Sequence, residues 1–240
     1  MTIYVKTYGI QRSGTNLTDI ILSNSFKNVK CLKNLFGWKH GPIPNEIDTS
    51  SRSWDPDWSS RRYAKKLENS VTPEMTIAYL SNRIRYVFVA KNPFASCVSF
   101  INYREKLYEK PYAQSFKYSV RHIREEDAID FALRWNRLYR GWIEWARGKR
   151  NSVFIRYEDW LLDYDSQLER FGLEYADSRY TVKGIVGTNG IESNERFDGT
   201  EWYTQQQYLS CFDGKTLDLL SSLLDKEVVE FLGYQANMPV

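Results

Sequence analysis

Residues 9–16 read Gly-Ile-Gln-Arg-Ser-Gly-Thr-Asn, with the two glycines in G-x4-G spacing. Between a strand and a helix, such a loop aims backbone N–H groups and a helix N-terminus at an anion. A nucleotide kinase or ATPase continues the loop with Lys, for the terminal phosphates, and then Ser or Thr, for magnesium. Here Thr15 and Asn16 stand in those positions, and Arg12 inside the loop supplies positive charge instead. The chemistry expected is binding of a phosphate or sulfate by Gln11, Arg12, Ser13, Gly14, Thr15 and Asn16, through amides, hydroxyls and one guanidinium, without a required metal.

Two further segments carry reactive residue types where a strand ends. Arg85–Ala90 runs into Lys91-Asn92-Pro93, with Ser99 eight residues beyond Lys91. Ser152–Arg156 runs into Tyr157-Glu158-Asp159. Of the two histidines, His122 lies in the charged stretch VRHIREED and reads as a solvated side chain. His40 lies in Trp38-Lys39-His40-Gly41-Pro42. An imidazole is the natural base near neutrality, which makes His40 the candidate general base. Trp38, Trp54 and Trp58 flank a polar loop nearby. They either stack on a sugar ring of an acceptor or pin that loop onto the body.

Gln-Arg-Ser-Gly-Thr-Asn after an N-terminal strand resembles the 5′-phosphosulfate loop of sulfotransferases, which use 3′-phosphoadenosine 5′-phosphosulfate (PAPS). Lys91-Asn92-Pro93 with Ser99 resembles the family's second motif, with Lys where Arg is usual. The resemblance implies that Arg12 to Asn16 cradle the 5′ end of PAPS and that Lys91 and Ser99 hold its 3′-phosphate. The family's Arg-Tyr-Glu-Asp strand end is similar to residues 156–159, which implies structural ion pairing for Arg156 and Glu158. A basic, glycine-containing loop that closes over the nucleotide is expected near Lys183-Gly184, Arg196 and Gly199–Trp202. A neighbouring Lys and His after the second strand is similar to Lys39-His40. The family also uses a carboxylate base, for which Glu46 and Asp48 are the alternatives here. The activity implied is in-line sulfuryl transfer to a hydroxyl, on a glycan or glycolipid if the tryptophans stack on sugar. Arg12, Lys39 and His40 are its catalytic residues, and no metal takes part. Two other readings stay open: a P-loop kinase or nucleotide hydrolase, and a non-catalytic nucleotide- or glycan-binding module of the same fold.

Positioning these residues requires strands that alternate with helices. Residues 2–8 and 85–90, then 152–156, are short β-branched and aromatic runs, with a further short strand at 29–32. Helices are expected over 15–25, from Pro73 to about 82, from Pro93, over 125–147, near 165–172 and over 216–232, with a short basic helix at 61–70. In the long one, Ala128, Ala132, Trp135, Tyr139, Trp142 and Ala146 step by four and three along one face. Residues 45–60 and 176–200 read as irregular surface segments. The pattern predicts a three-layer α/β fold, a mostly parallel central sheet flanked by helices, as in the P-loop-like sulfotransferase fold. Ligands of such sheets sit at the carboxyl ends of the strands.

Composition bounds the reading. The chain has 240 residues, 42% apolar and 26% charged, which excludes a disordered, collagen-like or membrane-embedded protein and fits one domain over 1–240. A net charge of +3 is too small for a nucleic-acid coat yet permits a local basic pocket for a small polyanion. No run approaches the length of a spanning helix. Three cysteines, an odd number without metal-type spacing, fit a reducing compartment, and a cytoplasmic location is expected.

Overall fold

The computed structural model describes residues 1–33, 35–44, 71–109, 122–178, 180–181 and 200–235. Four strands, β1 (Ile3–Tyr8), β2 (Val29–Cys31), β3 (Arg85–Ala90) and β4 (Ser152–Arg156), form one sheet in the order β2-β1-β3-β4. Every pairing is parallel, with Val5 opposite Arg85 and Phe88 opposite Phe154. A parallel sheet is stable only when both faces are covered, and the strands here supply apolar side chains to both. Tyr4, Tyr8, Tyr86, Phe88 and Ala90 enter one core, while Val5, Val87, Val89 and Ile155 enter the other.

Helix α1 (Thr15–Ser25) covers the second face through Leu17, Ile21 and Leu22. The first face is covered by α3 (Pro93–Glu109), α4 (Glu125–Ala146) and two C-terminal helices; α2 (Pro73–Leu80) adds Met75 and Ala78 to that core. All six α4 residues on the expected stripe are buried. Trp135 and Trp142 are fully enclosed, and truncating either to alanine is expected to remove about 3–5 kcal/mol. Pro93 opens α3 behind Asn92, whose Oδ1 accepts from the Phe94 N–H at 3.0 Å. Proline in the first turn and an asparagine cap together fix where that helix begins.

Three boundaries differ from the sequence expectation. The helix expected at 165–172 is α6 (Tyr164–Glu169), and an unexpected α5 (Tyr157–Leu162) precedes it, divided from it at Asp163. A short α7 (Thr200–Thr204) and a 3-10 turn (Gln207–Cys211) precede the C-terminal helix. That last helix is broken into α8 (Gly214–Leu223) and α9 (Lys226–Phe231). Asp225 caps α9, and Asn136 on α4 clamps the break, donating to Leu223 O at 2.7 Å and accepting from the Asp225 N–H at 2.9 Å. The helix expected at 61–70 and the loop at 45–60 lie outside the described residues.

In the order β2-β1-β3-β4 the chain leaves β1 toward one side and later returns on the other. The crevice between the carboxyl ends of β1 and β3 is therefore the topological switch point, where ligands of such sheets bind. The loops after β1 and β3 both open there. Among the described residues no helix is long and apolar enough to cross a membrane.

Candidate active site

The loop after β1 is built to bring backbone close to other groups. A Cβ at Gly9 would lie 2.7 Å from the Val89 carbonyl oxygen and 2.4 Å from Ser13 Oγ. Gly14 has φ +95°, and a Cβ there would meet the Tyr157 ring at 2.3 Å. Arg12 holds φ 70° without being glycine, a conformation costing about 1–2 kcal/mol. Its guanidinium lies 5.5 Å from the Tyr103 ring centroid. Helix α1 starts at Thr15 with no side-chain cap, so its leading N–H groups stay available to an anion. Ser13 Oγ is buried beside the Tyr139 hydroxyl, which itself donates to Val89 O, and it has no partner of good geometry. An orphaned buried hydroxyl in such a loop fits a missing anion oxygen.

Lys91, at the end of β3, is 5% exposed. Its Nζ donates to Ser99 Oγ at 3.0 Å and reaches the Arg12 carbonyl at 3.4 Å. It also lies 4.7 Å from the Tyr157 ring and 5.0 Å from the Tyr203 ring. Burial pushes its pKa down to about 7; the charge of Glu158 opposes that shift and Arg12 adds to it. Glu158 is pinned from both sides, its Oε1 accepting from the Asn92 N–H and its Oε2 from the Tyr234 hydroxyl, each at 2.8 Å. Desolvation raises its pKa despite these bonds. Arg156 pairs with Asp159, not with Glu158, and donates to Gly233 O at 2.8 Å. The strand end at 156–159 therefore ties loop, sheet and C-terminus together.

On the other side of the crevice, Gly9 N donates to Lys39 O at 3.0 Å, which fixes the 38–41 segment against the loop. Lys39 is buried, with Nζ 2.5 Å from Asn16 Oδ1 and 3.2 Å from Asp19 Oδ2. Thr7 Oγ1 supports Asp19 Oδ1 at 2.5 Å. An ammonium thus touches Asn16, the position where a kinase would place the hydroxyl for magnesium, and a fixed cation there repels a divalent ion. The His40 Nδ1 is 2.7 Å from Gly9 O. A carbonyl only accepts, so Nδ1 carries the proton and Nε2 keeps a lone pair. Burial, then Lys39, pushes His40 down to about 3, with Arg134 and Lys6 adding to it. The imidazole is therefore neutral at physiological pH. Helix α4 holds this segment through Trp142 Nε1 to Gly41 O at 3.1 Å and Arg134 Nη2 to His40 O at 3.3 Å.

The structure thus brings Gln11 to Asn16, Lys39, His40, Lys91 and Ser99 to one crevice. Lys183, Arg196, Glu46, Asp48, Trp54 and Trp58 lie outside the described residues. Among the described residues no three His, Cys, Asp or Glu side chains group as a metal cluster. Sequence reasoning missed Tyr157 and Tyr203, whose rings sit edge to face beside Lys91, and Arg134, which braces His40. Arg134 looks like any charge on an amphipathic helix, and only its tertiary neighbours distinguish it.

Comparison with known proteins bears on the fold and the family. Among solved structures, retinol dehydratase in a complex with retinol and PAP superposes with a TM-score of 0.52 at 15% identity, over 100% of this chain and 84% of that one. A sulfotransferase domain from the curacin biosynthetic pathway aligns over 98% of both chains at 12% identity and a TM-score of 0.42. No curated protein matches the chain significantly. The sulfotransferase-domain family model matches residues 5–172, from within β1 past the end of α6. With its phosphate-type loop, its Lys91–Ser99 pair and more than half its length under that match, the chain belongs to the sulfotransferase family.

Proposed function

We propose that the chain, as one cytoplasmic domain over 1–240, moves a sulfuryl group from PAPS to an acceptor hydroxyl. The observation that carries this reading is the meeting of two anion sites at the switch point: the uncapped loop 9–14 and the Lys91–Ser99 pair. PAPS supplies an activated sulfur whose leaving group is a phosphate. Its 5′ end suits the amides of residues 11–16, the orphaned Ser13 hydroxyl and Arg12. Its 3′-phosphate suits Lys91, a buried cation whose hydrogen bonds go to two neutral oxygens. Lys183 and Arg196 are assigned to the closing loop. The three cysteines are all free thiols, which suits a reducing compartment.

In this reading His40 accepts the acceptor proton at Nε2 while Gly9 holds its Nδ1–H. Arg12 faces the charge that develops on the transferring group and the departing phosphate, and preorganised donors of this kind are the largest single source of such catalysis. Lys39 acts from the 38–41 segment, reaching the first turn of α1 at Asn16 and partly neutralised by Asp19. A carbohydrate acceptor is favoured by Trp38, half-buried with its ring edge-on to His40 at 5.6 Å.

The test is calorimetric titration with adenosine 3′,5′-bisphosphate, and with ATP with and without magnesium, followed by transfer of label from PAPS. Metal-independent binding of the bisphosphate, weakened about tenfold or more by Lys91→Ala, is expected. Preference for magnesium-ATP would overturn the reading in favour of a kinase. Bisphosphate binding without transfer to any hydroxyl would leave a binding module.

A further inference from the structure

Arg134 sits at mid-height on α4 with most of its donors idle. Among the described residues Nη2 makes its one hydrogen bond, to the His40 carbonyl at 3.3 Å. Nε is buried and has no partner. The guanidinium lies near two rings, 5.9 Å from the Trp38 centroid and 5.6 Å from that of Phe100. Two other half-buried arginines hold a carboxylate, Arg104 with Asp127 and Arg156 with Asp159, and Arg85 rests on the Phe171 carbonyl. Among the described residues no carboxylate pairs with Arg134, and the charge that most affects it besides burial is the like charge of Arg137. Taking a cation out of water without an anion is unfavourable, and an anionic ligand that completes the pair removes that cost.

The position says which ligand. Arg12 and Lys91 serve the phosphate loop on the far side of the crevice, whereas Arg134 joins the site through His40, the group assigned to the acceptor hydroxyl. We propose that Arg134 receives an oxyanion borne by the acceptor, a carboxylate or a sulfate ester, while Trp38 and Phe100 pack on the body that carries it. This rests on the sulfotransferase reading above and narrows its acceptor to an anionic one. A planar fork with free donors suits either anion bidentately.

Three matched glycosides test it: p-nitrophenyl β-D-glucoside, the corresponding glucuronide and the glucoside 6-sulfate. Each is titrated into protein saturated with adenosine 3′,5′-bisphosphate, and again without nucleotide. At least one anionic glycoside is expected to bind about tenfold or more tightly than the neutral one. The preferred anion identifies which source the site takes. In Arg134→Gln the preference should fall to within about twofold, and Arg134→Lys should restore part of it. Bisphosphate affinity should stay within about twofold in both variants, marking them as folded and the effect as specific to the acceptor. Equal binding of neutral and anionic glycosides, a preference that survives Arg134→Gln, or no binding of any of the three overturns the proposal. Loss of bisphosphate binding by the wild type would instead sink the sulfotransferase reading, and the titration without nucleotide still decides the acid-over-neutral preference.

Discussion

Replacing Lys91 by Arg separates charge from protonation at the 3′-phosphate site. With its pKa pushed down to about 7 by burial, Lys91 is half charged at pH 7 and about one-hundredth charged at pH 9 in the free protein. If only the charged form holds the phosphate, the apparent Kd for adenosine 3′,5′-bisphosphate weakens by about 50-fold between pH 7 and pH 9. The phosphate itself adds nothing over that interval, because its second ionisation, near pH 6, is already complete. Neither does His40, which is neutral throughout. An arginine stays charged across the range, so Lys91→Arg should give a Kd that is flat from pH 7 to 9. Calorimetry at fixed ionic strength reads both curves. A wild-type Kd that moves less than about threefold, or an Arg variant with the same slope, would show that Lys91 is not the titrating phosphate ligand.

Other outcomes follow from the same geometry. Because the folded pKa of Lys91 is below its unfolded value, the buried charge lowers stability fully below pH 7, and the deficit fades as pH rises from 7 toward 10.5. Lys91→Met should therefore stabilise the free protein by roughly 2–4 kcal/mol at pH 6 while removing bisphosphate binding, and denaturant titrations should show the gap closing by pH 10. Gly14→Ala puts a methyl into the Tyr157 ring at φ +95°; a loss of about 1–3 kcal/mol by thermal unfolding, with weaker bisphosphate binding, is expected. His40→Ala should lower kcat by about 10²–10⁴ with bisphosphate affinity unchanged; a kcat within a few-fold of wild type would move the base to another residue.

Three of the four strands were legible because each carries its own punctuation. Gly9 after β1, Lys91-Asn92-Pro93 after β3 and Tyr157-Glu158-Asp159 after β4 mark strand ends with residues unsuited to continue a strand. The place of the loop between β1 and α1 was legible for the same reason, since spacing and residue type are local. Whatever depends on contacts from distant segments was not. The split between α8 and α9 is decided by Asn136, nearly ninety residues away. The burial of Lys6 within β1, with Nζ on the carbonyls of Lys33 and Gly37, breaks the rule that strand lysines face water. The tyrosines over Lys91 come from α5 and α7, so no spacing around Lys91 reports them.

Lys91 and His40 are shifted in the same direction for related reasons, and that has a consequence for catalysis. Cations from four separate elements, Arg12, Lys39, Lys91 and Arg134, converge on the crevice, with Asp19 beside Lys39 and Glu158 beside Lys91. Burial together with Lys39 and Arg134 leaves His40 at about 3, neutral but a poor base. The negative charge of a bound donor opposes those cations and must raise His40 toward its ordinary value. Donor binding would then switch on the base at the moment an acceptor needs it. With only two histidines in the chain, imidazole resonances are readily assigned using His40→Ala and His122→Ala. The His40 resonance should not titrate between pH 8 and about 5 in the free protein. Saturating adenosine 3′,5′-bisphosphate should bring its titration up into that window. A His40 that titrates near 6.5 without nucleotide, or one that nucleotide leaves unmoved, would break the link between the cationic crevice and the base.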